Sequence, residues 1–153
     1  MKSKIVKNYI YEGLGFPVEL QEVELVCIDD EWHPKVDVQG VADEVIAKLA
    51  EQEARLTGNQ VKFIRSYYSM PLREFGDKVV HESHMAVSKW EKKGDLPTNM
   101  NLNTEHELRL YIIEKTLFKT KRSKSKFYDA YIATKKFFSV EQKRPSMIYI
   151  ATA

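Results

Sequence analysis

The strongest constraint on the fold of this chain lies between Val61 and Glu91, which read VKFIRSYYSMPLREFGDKVVHESHMAVSKWE. The apolar spacing predicts three short helices in close succession, over about 61–68, 71–79 and 83–92. Pro71 suits the first turn of the second helix, and Ser83 is a good N-cap for the third. A tight polar turn at 80–82 joins these two, so the stretch predicts a helix-turn-helix.

The residues on either side of this stretch predict an α+β protein. Residues 4–28 are rich in β-branched and aromatic side chains, and Val18, Leu20, Val23 and Leu25 follow the alternation of half-buried strands. A helix is predicted from about Val38 to Arg55. Thr57 and Gln60 form a capping-box pattern that opens the next helix.

Two further helices and a strand are predicted after the helix-turn-helix. The helix from Thr104 to Phe118 carries apolar residues on nearly all faces, which predicts burial between domains or between subunits. Residues 119–126, KTKRSKSK, predict a basic linker, and residues 126–138 predict an aromatic helix. A closing strand is expected at Met147–Ile150.

Charge divides the chain unevenly. Residues 1–56 carry 6 Lys/Arg and 12 Asp/Glu, a net charge of −6, whereas residues 57–153 carry 18 and 10, a net charge of +8. A cationic portion favours a polyanionic partner. The single cysteine fits a reducing compartment, and no apolar run approaches the length of a membrane span. These features predict a cytoplasmic protein without a membrane partner.

Catalytic and metal-binding patterns are missing from the sequence. Cys27 lies near His33, but nothing indicates the arrangement of a Cys–His nucleophile with an oxyanion site. The four histidines lack HExxH or similar spacing, and the GLG at Gly13–Gly15 lacks the rest of a phosphate-binding loop. We therefore expect no enzymatic activity, no cofactor and no metal.

The segment from about Gly58 to Leu117 resembles the phage-repressor (Cro/Xre) family, whose domains are called lambda-repressor-like. In that family a basic residue in the first helix pairs with an acidic residue that ends the recognition helix; Arg65 and Glu91 occupy these places. Gly76 stands where the family has a small residue. The resemblance implies a domain in which the third helix enters the DNA major groove.

The resemblance also implies which side chains contact DNA. His84, Met85 and Lys89 match the base-reading positions, and Ser88 shares their outward face. Ser83 is expected to bind phosphate through its hydroxyl and the nearby amides. Additional phosphate contacts are expected from three cations: Arg73, Lys92 and Lys93. Two departures from the family are Leu72, where many members have glutamine, and a turn that is one residue longer.

The order of segments resembles the MqsA-type (YgiT/HigA-like) antitoxins, in which a β-containing toxin-binding region precedes a repressor-like domain. This chain lacks their paired zinc-binding cysteines, because Cys27 is its only cysteine. The resemblance implies three parts. They are an acidic toxin-binding or dimerisation segment at 1–56, a helix-turn-helix domain at 57–118, and the basic linker, aromatic helix and closing strand at 119–153.

Two functional hypotheses follow. In the first, the chain is a nucleoid-associated bacterial antitoxin that binds operator DNA as a homodimer, represses its own operon and blocks a basic toxin. In the second, it is a stand-alone phage or mobile-element regulator whose N-terminal part serves in pairing or sensing. A weaker third reading is an interaction module whose helix-turn-helix no longer binds DNA; Leu72 is the main support for it.

Overall fold

The computed structural model describes residues 2–117 and 147–150, and the fold is mixed α+β. The described residues divide into two compact units, one of residues 2–45 with 147–150 and the other of residues 46–117. The sequence placed this division after residue 56. The two compact units meet inside the first helix, between residues 45 and 46, and the fully buried Ile46, Leu49 and Leu56 belong to the second unit.

The first unit is built on a four-stranded sheet. Its strands are β1 (Ser3–Tyr11), β2 (Val18–Ile28), β3 (Glu31–Lys35) and β4 (Ile148–Ile150). The central strand is β2, which pairs antiparallel with β1 along one edge. Along its other edge, β2 pairs antiparallel with β3 over residues 24–28 and parallel with β4 over residues 18–20. The predicted strands at 4–28 and at the closing segment are therefore confirmed.

One face of this sheet forms the core of the first unit. Val18 and Leu20 are buried, and so are Val23 and Leu25, so the alternation shifts by one residue between the two pairs. Opposite the shift, Asn8 of β1 adopts a left-handed conformation with φ of 57°. Such a local irregularity lets one long strand keep its apolar side chains on the core side.

The β2–β3 hairpin closes through a two-residue loop. Ile28 pairs with Glu31, which leaves Asp29 and Asp30 in the loop with φ of 52° and 65°. Two consecutive positive φ values define a type I′ turn, whose twist matches that of the flanking strands. Aspartate tolerates this left-handed conformation better than most residues, which explains the Asp-Asp pair.

The second unit is helical in its described residues. The first helix, α1 (Val38–Glu51), ends in it and is followed by α2 (Gly58–Tyr67), α3 (Leu72–Phe75), α4 (His84–Glu91) and α5 (Leu102–Ile112). Two helices continue as π-helical turns, α3 over Gly76–Val80 and α5 over Ile113–Leu117. No helix among the described residues has the length and apolarity needed to cross a membrane.

The start of α2 follows the sequence prediction. Thr57 Oγ1 accepts a hydrogen bond from the Gln60 amide at 3.1 Å, and Gln60 Oε1 accepts one from the Thr57 amide at 3.1 Å. These reciprocal bonds satisfy two amides that have no partner inside the helix. The capping box predicted from Thr57 and Gln60 is therefore confirmed.

The helix α5 is buried within its own unit. Leu108, Ile112 and Ile113 are fully buried by residues of this chain. Glu105 and Arg109 share that buried side, at 0% and 1% exposure, although charged residues are rarely buried unless they are paired. The broad apolar surface predicted for this helix therefore packs on neighbouring parts of the chain.

The partners of Glu105 and Arg109 form a charged cluster that the sequence did not reveal. Arg55 Nε and Arg109 Nη2 each donate to the Glu105 carboxylate at 3.1 Å. Arg109 also donates to main-chain oxygens at the end of α1 and just beyond it, including Ala54 O at 2.8 Å. Cations favour helix carboxyl ends because the last carbonyls lack intrahelical partners. The cluster thus joins α1 to α5.

The basic linker expected at residues 119–126 and the aromatic helix expected at residues 126–138 lie outside the described residues.

Candidate nucleic-acid interface

An ion pair between α2 and α4 sets the position of α4. Arg65 Nε donates to Glu91 Oε2 at 2.7 Å, and Arg65 Nη2 donates to Glu91 Oε1 at 2.9 Å. The remaining nitrogen, Nη1, donates to Met70 O at 3.0 Å. A bidentate arginine–carboxylate contact fixes orientation as well as distance. The sequence brings Arg65 and Glu91 to matching ends of the two helices, and the structure shows them joined.

The pair is shielded from solvent, which makes it more than an ordinary surface contact. The Arg65 side chain is 18% exposed and the Glu91 side chain 11% exposed. The hydrogen bonds that Arg65 donates to Glu91 raise the pKa of Arg65, against the opposing effect of burial. All three guanidinium nitrogens of Arg65 donate within the unit, so this arginine orients α4.

Removal of the Glu91 carboxylate should destabilise the protein. In Glu91→Ala, Arg65 keeps a partly buried charge without its carboxylate, and the free energy of unfolding should fall by about 2 kcal/mol. Urea denaturation followed by circular dichroism measures this change. The matched control is Glu82→Ala, which removes an exposed glutamate just before α4. Equal stability of the two variants would show that the ion pair does not hold α4.

The turn between α3 and α4 contains a close backbone approach at Gly76. A Cβ atom at this position would lie 2.4 Å from Glu82 O and 3.4 Å from the His84 nitrogen. The Glu82 amide also donates a hydrogen bond to Gly76 O at 3.0 Å, and this bond holds the two main-chain segments close together. Only glycine leaves room for this contact, which explains the small residue noted in the sequence.

The longer turn noted in the sequence is accommodated by the π-helical turn. A π-helix closes i→i+5 hydrogen bonds and so holds one more residue per turn than an α-helix. Here the amide of His81 donates to Gly76 O, and His81 ends the turn in a left-handed conformation with φ of 53°. The helix therefore extends to Val80, one residue beyond the predicted end at Val79, and Val79 and Val80 are both buried.

The start of α4 is capped as predicted. Ser83 Oγ accepts a hydrogen bond from the Ala86 amide at 3.1 Å and remains exposed. Within the helix, Val87 is fully buried and Trp90 is partly buried. These two side chains define the inner side of α4, and the opposite side faces solvent.

The exposed side of α4 has an apolar residue near its amino end and cations toward its carboxyl end. At 100° per residue, Met85, Lys89 and Lys92 share the line opposite Val87. Met85 is 63% exposed, and Lys89 and Lys92 are also exposed. Residues at i, i+4 and i+7 form a stripe that can enter a groove together.

His84 and Ser88 occupy a different place from the other predicted reading residues. Both are partly buried, because the helical rotation places them beside Glu91 at the border of the exposed side. The structure therefore brings Met85 and Lys89 together on the exposed side of α4 and leaves His84 and Ser88 at its margin.

Of the predicted phosphate-binding cations outside α4, Lys93 is exposed just after the helix and Arg73 is exposed on α3.

The prediction from sequence did not include the acidic residues near the amino end of α4. Asp77 and Glu82 are exposed on the segment that leads into Ser83. Lys78, the cation nearest to them in sequence, is already paired with Glu74 at 3.3 Å. The charge on this surface is therefore polarised, with carboxylates before α4 and lysines toward and beyond its carboxyl end. The order of residues in the sequence already contains this polarity. Asp77 and Glu82 precede the helix, whereas Lys89, Lys92 and Lys93 lie near its carboxyl end or beyond it.

No group of three His, Cys, Asp or Glu side chains within residues 2–117 and 147–150 is arranged to hold a metal ion. No family model matches the chain, and comparison with curated proteins and with solved structures gave no match. The resemblance to phage repressors therefore remains a prediction from the residues quoted above.

Proposed function

We propose that this protein is a sequence-specific, double-stranded DNA-binding transcriptional repressor. In this proposal α3 and α4 are the two helices of a helix-turn-helix, and α4 is the reading helix. The observation that carries the proposal is the exposed stripe of Met85, Lys89 and Lys92 on a helix that the Arg65–Glu91 pair holds in place. A rigid helix with one free side of this chemistry fits the major groove.

The roles of the individual side chains follow from their positions on α4. Lys89 donates to guanine O6 and N7, and Met85 contacts a thymine methyl group. Lys92 and Lys93 neutralise phosphates without reading sequence. Asp77 and Glu82 would repel a phosphate near the amino end of the helix, so we place the backbone contacts mainly at its carboxyl end.

A homodimer is part of the proposal on physical grounds. An 8-residue helix such as α4 reads only a few base pairs. Two copies that bind half-sites one helical turn apart multiply the specificity of one copy. The operator is therefore expected to be palindromic.

The direct test is binding to the promoter upstream of the protein's own gene. Affinity is measured by fluorescence anisotropy for this duplex and for a shuffled duplex of equal length and composition, over a series of salt concentrations. Specific binding should exceed non-specific binding by about 1,000-fold or more. Equal affinity for the two duplexes would reject this promoter as the operator, and no binding to either would reject the proposed function.

Lys89→Ala should reduce specificity. The variant loses a donor to a base edge, so affinity for the promoter duplex should fall by about 1–3 kcal/mol while affinity for the shuffled duplex changes little. Scanning single base-pair changes through the promoter duplex should show relaxed preference at one position of each half-site. If binding to promoter and shuffled duplexes fell equally, Lys89 would be a phosphate contact.

Lys93→Ala should weaken binding to all sequences alike. The lysine lies beyond the helix and is proposed to contact phosphate, so the slope of log affinity against log salt should decrease by about 1 per copy. The same two duplexes measure this effect. A sequence-dependent loss in this variant would contradict the assignment of the reading side.

The wider biological role that fits best is the antitoxin of a type II toxin–antitoxin pair that regulates its own operon. The excess of acidic residues in 1–56 suits a basic toxin. The outer face of the sheet also exposes apolar side chains, with Ile5 at 70%, Ile10 at 45% and Tyr149 at 59% exposure. Exposed apolar groups beside acidic ones are typical of protein-binding surfaces. Co-purification with the products of adjacent genes tests this role.

The alternative is a stand-alone phage or mobile-element regulator without a toxin partner. A cavity of about 540 Å³ within the first unit supports it, because its volume is in the range of small-molecule sites and would suit a sensing role for the N-terminal part. DNA binding without any associated neighbouring gene product would favour this alternative.

A further inference from the structure

The strand β1 lies at one edge of the sheet and uses only one of its own two edges. It pairs with β2, and among residues 2–117 and 147–150 no strand pairs with its other edge. The strand is nine residues long, contains no proline, and its side chains are exposed or partly buried throughout. A long, unpaired edge of this kind is a template for pairing with another strand.

Main-chain groups of alternate β1 residues point to this open edge. The Cys27 amide donates to Lys2 O at 2.9 Å, so the main-chain groups of Lys2 point toward β2. In an antiparallel pair, successive residues direct these groups to alternate edges. Those of Ser3, Ile5 and Lys7 therefore point away from β2, where a further strand could bond to them.

The left-handed residue Asn8, with φ of 57°, divides β1 into two halves of opposite phase. Directly opposite residues of paired strands share a face of the sheet. Ile5 and Ile10 lie opposite Glu24 and Glu19, on the outer face. The β1 residues that lie opposite buried residues of β2 face the core side, and these are Lys4, Val6, Tyr9 and Tyr11. Core-facing positions are therefore even before Asn8 and odd after it.

This change of phase makes β1 complementary to itself. A two-fold axis between Lys7 and Asn8 would set Ile5 opposite Ile10 of a second copy, and both face outward. The same axis sets Val6 opposite Tyr9, and both face the core side. An axis through a single residue such as Lys7 would instead set the outward Ile5 against the core-facing Tyr9. Only a strand with the same change of phase matches β1 along its whole length.

The pairs that this axis creates are favourable ones. Each Ile5 meets an Ile10, and these side chains are 70% and 45% exposed in one copy. Each Val6 meets a Tyr9, and pairs of aromatic and β-branched side chains stabilise antiparallel strands. The Lys7 residues of the two copies would lie near the axis, and each has Glu22 directly opposite it on β2 to offset its charge.

We infer that β1 pairs antiparallel with β1 of a second copy of this chain, about a two-fold axis between Lys7 and Asn8. The two sheets then become one continuous sheet, and the contact is the same surface on both copies, as two-fold symmetry requires. The inference gives an interface to the homodimer of the proposed function. It does not depend on DNA binding, because it is tested without DNA.

The first test is sedimentation equilibrium of the full chain without DNA, from low micromolar to millimolar concentrations. The protein should show a reversible equilibrium between monomer and dimer. Ile5→Lys/Ile10→Lys places four lysines around the axis and should raise the dissociation constant of the dimer about tenfold or more. Tyr149→Lys is the matched control, because Tyr149 is 59% exposed on the same outer face but belongs to β4. Circular dichroism establishes that both variants are folded.

The control should dimerise like the unmodified protein. A monomer at every concentration would overturn the inference. Equal weakening by Tyr149→Lys would also overturn it, because the outer faces would then pack face to face instead of edge to edge. A dimer that the Ile5→Lys/Ile10→Lys variant leaves unchanged would place the contact elsewhere and exclude β1.

The second test reads the register of the pairing by disulfide formation. Cys27→Ser removes the native thiol, and in this background Ile5→Cys and Ile10→Cys are made as separate variants. Opposite Cα atoms in an antiparallel pair lie about 4.5–5.5 Å apart, within the range of a disulfide. In the inferred register the two Ile5 positions are five residues apart along the strand, roughly 17 Å, which is too far.

An oxidised mixture of the two cysteine variants should therefore give a covalent dimer that contains one chain of each, whereas each variant alone should stay monomeric under denaturing conditions. Mass spectrometry identifies the cross-linked peptides. A covalent dimer from Ile5→Cys alone would show a different register and overturn the proposed axis. No cross-link in the mixture would overturn it as well.

Discussion

Replacing Glu105 by glutamine should lower the free energy of unfolding by about 3–5 kcal/mol. Glu105 is fully buried and accepts hydrogen bonds from Arg55 Nε, Arg109 Nη2 and the Leu56 amide. Glutamine keeps the shape but removes the charge that balances two guanidinium groups. The side-chain NH₂ group of glutamine would also face N–H donors that now bond to the carboxylate. A buried polar group would then be left without a partner.

Arg109 shows why this carboxylate matters. Burial lowers the pKa of Arg109, the nearby charge of Arg55 lowers it further, and Glu105 acts in the opposite direction. Without Glu105 the two cations would face each other in a site with little water. Denaturation in urea measures the loss, and Glu107→Gln, an exposed position on the same helix, serves as the control. If Glu105→Gln unfolded at the same urea concentration as the control, the cluster would not stabilise the unit.

The second large effect is expected from Gly76→Ala. The backbone of Gly76 is in the right-handed helical region with φ of −60°, where alanine would ordinarily be favoured. The added Cβ would lie 2.4 Å from Glu82 O, a main-chain atom that cannot rotate away. We expect the steric cost to exceed the gain in helix propensity, with a net loss of about 3 kcal/mol in unfolding free energy.

If the chain binds DNA as proposed, the same substitution should also lower affinity for the promoter duplex, by more than the loss of stability alone would cause. The turn at Glu82 leads directly into Ser83, so relief of the contact tilts α4 and misplaces Met85 and Lys89. Gly94→Ala is the control, because Gly94 has φ of 61° and no atom within 4 Å of an added Cβ. That variant suffers backbone strain alone, of about 1–2 kcal/mol. If Gly76→Ala were as stable as the unmodified protein and bound DNA equally well, the close approach would not position α4.

Local pattern was sufficient to predict several elements of this fold. The two-residue spacing of Val18 and Leu20, and again of Val23 and Leu25, predicts a strand here, because side chains that face one core follow the period of a strand on either side of the shift. The pairing of Thr57 with Gln60 predicts the start of α2, because a capping box depends only on residues three apart. Each of these signals involves neighbours in sequence.

The features that sequence did not predict depend on contacts between distant residues. Arg55 and Glu105 are separated by 50 residues, and no local spacing reveals that they meet. The nearest available signal was the i, i+4 pair of Glu105 and Arg109, which lies on a helix with apolar residues on nearly all faces and so indicates a buried ion pair.

In the candidate interface, too, some features were predicted from sequence and others depend on contacts between distant residues. The place of Ser83 as the N-cap of α4 followed from local sequence, whereas the pairing of Arg65 with Glu91 was implied by the resemblance to phage repressors. The separation of Met85 and Lys89 from His84 depends on which side of α4 is covered, and this is decided by Val87 and by the Glu91 contact. The π-helical turn at Gly76–Val80 depends on the fit between α3 and α4, so the extra residue was visible in the sequence but its accommodation was not.

The link from Arg109 to the end of α1 has a consequence for the kinetics of unfolding. Its hydrogen bonds join residues 55 to 60 apart in sequence, and such contacts form only after a long loop has closed. Interactions that are absent from the transition state slow unfolding and leave the folding rate almost unchanged. We therefore expect these hydrogen bonds to lower the unfolding rate of the second unit more than they raise its folding rate.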